Sequence, residues 1–172
     1  MADGPNPDIR HGIYEGDSPL AVCSPPFAGL YRLWESKRAG RALPSRPDFD
    51  VAELKPWLGR INLLDVLPGP PMDFRYRLCG TRTVQEYGID LTGRCFSEAC
   101  FIGKPGSALK AMTEFVRIGR PRYRNDPLQD VNGFAIMRER MYLPLSADGR
   151  TIDMILCYQE SRILAHPSNR VR

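Results

Sequence analysis

The sequence predicts an α+β fold: a five-stranded antiparallel sheet with helices on one face and an amphipathic helix ahead of it. Three observations point there. Phe74, Tyr76 and Leu78 alternate with Arg75 and Arg77, the period of a half-buried antiparallel strand. Ala147-Asp148-Gly149 separates two apolar runs, a hairpin signal. Phe27, Leu30, Tyr31 and Trp34 fall at i, i+3, i+4 and i+7, which is one helix face.

Residues 1–24 mix Gly, Pro, Asp and Ser without periodicity and read as a flexible leader. Pro25 and Pro26 suit a helix start, where a missing N–H costs nothing, and Gly40 is the expected stop. Residues 44–47 connect to a helical turn at 51–58, and residues 60–67 have the branched apolar content of a strand. Pro68 to Pro71 turns the chain into the 74–78 strand. Gly80 breaks it, Thr81 is the expected cap of a short helix bearing Val84 and Tyr87, and Gly88 ends that helix. A longer helix is expected from Ser107 to Ile118, with Leu109, Met112, Phe115 and Val116 on one side. Residues 120–124 then read as a short edge strand or an extended arm, since Pro121 argues against a central strand. Two long strands follow, 134–145 and 151–160. Ile155 and Cys157 oppose Ile152, Met154 and Leu156 on the second, so a central position is expected for it. The expected domain spans residues 25–162, with a tail over 163–172.

The 172 residues, 42% hydrophobic and 26% charged, are enough for one domain with its own core. Neither a secretory signal nor an apolar run of spanning length is present, so cytoplasmic localisation without membrane contact is expected. Cys23, Cys79, Cys95, Cys100 and Cys157 form no C-x-x-C pair, and no metal site is expected. The net charge of +4 permits an anionic partner without requiring one. No nucleic-acid reading motif is apparent, and no nucleic-acid partner is expected.

Residues 33–162 resemble the PAS superfamily, in particular the compact stand-alone PAS-like domains common in bacteria. The matching pieces are Leu33-Trp34, Trp57-Leu58-Gly59, Ile61 to Asp65, Phe74 to Gly80, the helix with Val84 and Tyr87, and above all Gly88-Ile-Asp-Leu-Thr-Gly93. The resemblance implies a cavity between sheet and helices that either holds a small ligand or has collapsed, leaving a docking surface. Superfamily members that bind flavin carry a reactive cysteine in Gly-Arg-Asn-Cys-Arg-Phe-Leu-Gln; Gly93-Arg-Cys-Phe96 keeps only a fragment. Haem would need an axial ligand, and His11 and His166 fall in the terminal segments. The cofactor is left unknown, and the ligand expected in such a pocket is small and apolar.

The expected inward, ligand-binding residues are Phe74, Tyr76, Val84, Tyr87, Phe96, Phe115, Tyr142 and Met154; the same set also serves as plain core. Phe27, Leu30, Tyr31 and Trp34 are the expected contact with a partner, either a second copy in a homodimer or a signalling protein. The stripe could also dock on the chain's own sheet near Ile155 and Cys157. Arg117, Arg120, Arg122 and Arg124 read either as an anion site or, more simply, as a solvated edge. No nucleophile–base set is found. The expected function is a sensory or regulatory domain without catalytic activity. The alternative is a small cone-type enzyme using Asp65 or Asp153 as a pocket acid.

Overall fold

Strand pairing and two kinds of helix contact organise the chain. The computed structural model describes residues 12–15, 18–98, 105–129 and 133–165. Its strands are β1 (Gly12–Glu15), β2 (Ile61–Leu67), β3 (Asp73–Leu78), β4 (Arg122–Gln129), β5 (Ala135–Leu145) and β6 (Met154–Ala165), and its α-helices are α1 (Pro25–Lys37), α2 (Thr81–Tyr87) and α3 (Pro105–Ile118). The strands form one sheet in the order β1-β4-β5-β6-β2-β3, with every pair antiparallel.

The five expected strands are β2 to β6, and β1 adds a sixth. Residues 12–15 therefore leave the expected flexible leader: Gly12 to Glu15 pair with Asn125 to Arg122. An unpaired β4 edge would expose a row of backbone donors and acceptors, and β1 satisfies it. The stretch after Pro121 is thus an eight-residue internal strand rather than a short edge. Likewise β6 runs through residues 163–165 of the expected tail. It lies between β5 and β2, a central place as its two apolar sides require.

α1 starts on Pro25 and Pro26 and ends at Lys37, ahead of a turn in which Gly40 takes φ 84°. Its apolar stripe is consumed by the chain's own sheet. Phe27 and Leu30 are fully buried, and Tyr31 and Trp34 nearly so. The Phe27 ring lies 5.6 Å from Tyr123 and 4.6 Å from Tyr158, and the Trp34 indole donates to the Pro144 carbonyl at 2.9 Å. Tyr123, Met141, Tyr158 and Ile61 are register partners across four strands, so they share this outer face. The expectation that the stripe contacts a partner is corrected: the fold already buries it. Its own-sheet docking point is also moved, from Ile155 and Cys157 to Tyr123 and Tyr158, because Ile155 and Cys157 alternate to the other side.

α2 and α3 lie on that other, inner face, where Phe115 of α3 meets Tyr142 at 5.9 Å. Gly80 joins β3 to α2. A Cβ there would stand 2.5 Å from the Gly59 carbonyl oxygen and 2.6 Å from that of Ile61, so no other residue fits. Its N–H donates to Asn62 Oδ1 at 3.0 Å, and Arg82 N–H donates to the Gly59 carbonyl at 2.7 Å. Gly80, not Thr81, is the N-cap residue, and Gly88 closes the helix with φ 71°. The chain then returns along β3: Gly93 N–H donates to Tyr76 O at 2.7 Å, Tyr76 N–H to Arg94 O at 3.0 Å and Phe96 N–H to Phe74 O at 2.8 Å. The motif from Gly88 onward thereby covers the second sheet edge.

Residues 146–153 join β5 to β6, a wider connection than a tight hairpin. Asp148 Oδ1 accepts from the backbone of Arg150 at 2.8 Å and Thr151 at 2.7 Å, while Gly149 takes φ 75°. Those two backbone donors hold the Asp148 carboxyl below the usual carboxylate range.

Candidate pocket on the inner sheet face

Side chains two apart on a strand share a face, so register decides what the inner helices cover. Val66, Leu64 and Asn62 of β2, Phe74 and Tyr76 of β3, Tyr142, Arg140 and Arg138 of β5, and Ile155, Cys157 and Gln159 of β6 line up on the inner side. Arg122, Arg124 and Asp126 of β4 continue the row, opposite Tyr142, Arg140 and Arg138.

One end of this face is a ring cluster. Phe96 lies 5.6 Å from Phe74 and stacks on Tyr76 at 5.2 Å, and Phe115 covers Tyr142. The other end is polar. Arg138 lies over the Tyr87 ring at 5.2 Å, donates to its hydroxyl at 3.4 Å and to Ser161 Oγ at 3.2 Å, and pairs with Glu86 at 3.6 Å. Glu86 also accepts from Ser161 Oγ at 3.0 Å, and the Tyr87 hydroxyl and Gln159 Oε1 are 3.4 Å apart. Asp126 accepts from Arg124 at 3.2 Å and Arg140 at 2.9 Å. Arg122 lies over Phe115 at 5.4 Å and donates to the Ala111 carbonyl at 2.7 Å.

Between the two ends lie Tyr76, beside Tyr87, Tyr142 and Cys157, and Arg140, beside Tyr87, Tyr142 and Cys157. Burial pushes all three phenols up, Tyr76 most strongly, so each keeps its proton at neutral pH. Tyr142, Tyr87 and Asp126 push the Arg140 guanidinium up against the opposing effect of its own burial. Burial also raises the Cys157 thiol to about 12, with Arg140 and Asn62 pulling the other way. That thiol is inert at neutral pH. The Tyr87 hydroxyl is hydrogen-bonded, but those of Tyr76 and Tyr142 have no partner among the described residues. Arg140 Nε is likewise buried without a hydrogen-bond partner.

Seven of the eight expected ligand residues belong to this side: Phe74, Tyr76, Tyr87, Phe96, Phe115 and Tyr142 directly, with Val84 of α2 partly buried against the core. Met154 does not. It is the register partner of Leu145 and Asp65 and shares the outer face with Leu156 and Tyr158, because β6 alternates and Ile155 takes the inner position. Cys95, one residue before Phe96, is only partly buried, beside Asp73, Glu98 and Arg75 rather than among the rings. Cys100, His11 and His166 lie outside the described residues.

The basic stretch is also corrected. Arg122 is 3% exposed and Arg124 is held by Asp126, so this is an inner-face row, whereas Arg117 pairs with Glu114 at the surface. Arg138, Arg140, Asp126, Asn62, Cys157 and Gln159 were missed as site residues. Their signal was available: Arg122-x-Arg124-x-Asp126 and Arg138-x-Arg140-x-Tyr142 repeat with period two on strands that turn out to be neighbours. Neither suggested pocket acid is here. Asp65 is on the outer side, held by Arg75 at 3.0 Å and Arg77 at 2.6 Å, and Asp153 is exposed in the β5–β6 connection, accepting from Ala147 N–H at 2.7 Å.

Among the described residues, no cluster of three His, Cys, Asp or Glu could hold a metal, and no helix is long and apolar enough to cross a membrane. No curated protein matches the chain. It is similar in shape to the structure of an RNA-binding light-oxygen-voltage receptor, with a TM-score of 0.46 and 14% identity over 91% of this chain and 39% of that one. The chain thus spans well under half of that receptor. A family model described as a PAS domain matches residues 22–157, which takes in α1 to α3, strands β2 to β5 and the first four residues of β6. By that match the chain belongs to the PAS domain family.

Proposed function

We propose that this PAS domain is a sensory or regulatory module that binds a small molecule between the inner sheet face and helices α2 and α3, and acts by binding rather than turnover. One observation supports it above the others. Arg140 Nε is buried without a hydrogen-bond partner on the same sheet face as Tyr76 and Tyr142, and buried polar groups ordinarily find one. A ligand would complete it. Binding without catalysis is favoured because Asp65 and Asp153 lie elsewhere and Cys157 is held as a thiol. Nucleic acid is not the partner in this reading, since Arg122 and Arg138 are 3% and 8% exposed. The occupied state is passed on to a second copy or a signalling protein by surfaces other than the α1 stripe.

Native mass spectrometry of the full chain, joined to a thermal-shift screen of small metabolites, tests this. A bound mass, or a saturable rise in Tm that the Tyr76→Phe, Tyr142→Phe double variant loses, is the expected result. Absence of both overturns the proposal.

A further inference from the structure

We propose that a cleft at one end of the sheet is a docking site for a partner protein, and that it seats a large apolar side chain from an uncharged, extended peptide segment. The cleft is separate from the inner-face rings: Tyr76, Tyr87 and Tyr142 are not part of its lining.

Four connections build it. Residues 42–43 after α1, the β2–β3 turn at Pro68 and Met72, the end of α3 at Val116 and Gly119, and residues 150–153 between β5 and β6 surround about 560 Å³. Of the apolar lining, Leu43 and Ile152 are buried, while Val66, Met72 and Val116 stay partly exposed. Apolar surface gathered in a concave site and left in reach of water favours an apolar side chain in place of that water. The walls are also fixed in advance. Ser146 N–H donates to the Pro44 carbonyl at 2.9 Å and Val66 N–H to the Asp153 carbonyl at 2.9 Å. These bonds tie the connector after α1 and strand β2 to the β5–β6 connection, and a preformed site loses little ordering entropy on binding.

Charge decides what accompanies the side chain. Arg117 is already paired with Glu114. The Arg150 guanidinium and Asp153 Oδ1 have no partner among the described residues, while Asp153 Oδ2 accepts from Ala147 N–H at 2.7 Å. One cation and one anion on the same cleft cancel: an anionic ligand meets Asp153 and a cationic one meets Arg150. A peptide group suits both, because its carbonyl accepts from a guanidinium and its N–H donates to a carboxylate. Arg150, Thr151 and Asp153 are exposed, so a chain can continue across this rim. A small-molecule pocket instead encloses roughly 70–90% of its ligand.

Titrations of the isotopically labelled full chain, followed by amide chemical shifts, test the charge rule with three probes. N-acetyl-phenylalaninamide is neutral, N-acetyl-phenylalanine anionic and phenylalaninamide cationic. The neutral probe should shift Leu43, Val116 and Ile152 saturably and bind at least about threefold more tightly than either charged one. Extending it to the acetylated, amidated pentapeptide Ala-Ala-Phe-Ala-Ala should tighten binding about tenfold. Val116→Gln, at a partly exposed wall position, should weaken the pentapeptide about tenfold, and Arg150→Ala about threefold; circular-dichroism melts confirm that both variants fold. A charged probe that binds as tightly as the neutral one overturns the uncharged peptide. A pentapeptide no tighter than the single residue makes the cleft a small-molecule site and overturns the docking role. Shifts that are absent or confined to the inner face, or pentapeptide binding unchanged in both variants, overturn the cleft and leave the inner-face reading standing. Sedimentation equilibrium supplies the last arm: a dimer that Val116→Gln dissolves assigns the cleft to a second copy and overturns the separate partner.

Discussion

The two faces of the sheet are built from the same strands but solve opposite problems. On the outer face, Phe27, Leu30 and Trp34 of α1 close over Tyr123, Met141 and Tyr158; the Trp34 indole is satisfied by Pro144 and the Tyr123 hydroxyl by Glu139 at 3.0 Å, and Asn125 Oδ1 is buried without a partner. On the inner face, α2 and α3 cover a surface where arginines and tyrosines alternate with rings, and Arg140 Nε and Thr83 Oγ1 are buried without hydrogen-bond partners. A fully used apolar face contributes stability through area and packing. Open buried donors subtract from it. The outer face therefore holds the fold together, and the inner one holds its unmet polar groups in place.

That contrast can be broken by substitution. The largest expected effect is Trp34→Ala, which removes a buried indole and its hydrogen bond and should cost about 3–5 kcal/mol in urea unfolding; a loss near 1 kcal/mol would mean that α1 is not what secures the outer face. Gly80→Ala, at the junction of β3 and α2, forces a methyl onto two backbone oxygens and should cost about 1–3 kcal/mol, read by the same unfolding curves. A matched pair sharpens the comparison further. Tyr123→Phe should cost about 1 kcal/mol by removing one of the two hydrogen bonds to Glu139, whose other donor is Ser24 Oγ at 2.8 Å, whereas Tyr142→Phe should be neutral or slightly stabilising without ligand. Equal losses would show that the inner hydroxyl is satisfied after all.

The smallest effect near neutral pH concerns Cys157. Its folded value is raised from 9.0 to about 12 by burial, so the folded state holds its proton longer than the unfolded one. The associated stability is present below pH 9 and declines as pH rises from about 9 toward 12. Between pH 7 and 8 nothing should change. There, iodoacetamide followed by peptide mapping should label the partly exposed Cys95 well before Cys157, and early labelling of Cys157 would mean that the inner face opens readily.

Most of the fold was legible because local signals and tertiary needs agree. The alternation at Phe74 to Leu78, the spacing of Phe27 to Trp34 and the Gly88 stop each became the element they describe. Where the reading failed, the missing information was which face a side chain takes. Met154 has the hydrophobicity of a pocket residue, yet one position of register sends it to the outer side. The arginines of β4 looked like an edge because Pro121 suggests one; pairing with β1, more than about one hundred residues away along the chain, makes the strand internal. Composition also favours reading arginine as surface, and only the neighbouring Arg138 and Arg140 reveal a shared buried row. The ring half of the pocket was visible in the sequence. Its charged half was not.

Gly80 has a mechanical corollary. The first turn of α2 is bound to β2 through Gly59 and Asn62, with no room for even a methyl between them. Glu86 and Tyr87 at the far end instead touch Arg138, Gln159 and Ser161 through side chains alone. A helix of seven residues anchored this way is a lever about 10 Å long at about 1.5 Å per residue. Its fulcrum is a glycine and its free end rests on the polar half of the inner face. On that arm, a displacement of about 1 Å at Tyr87 corresponds to a turn of the helix by roughly 6°.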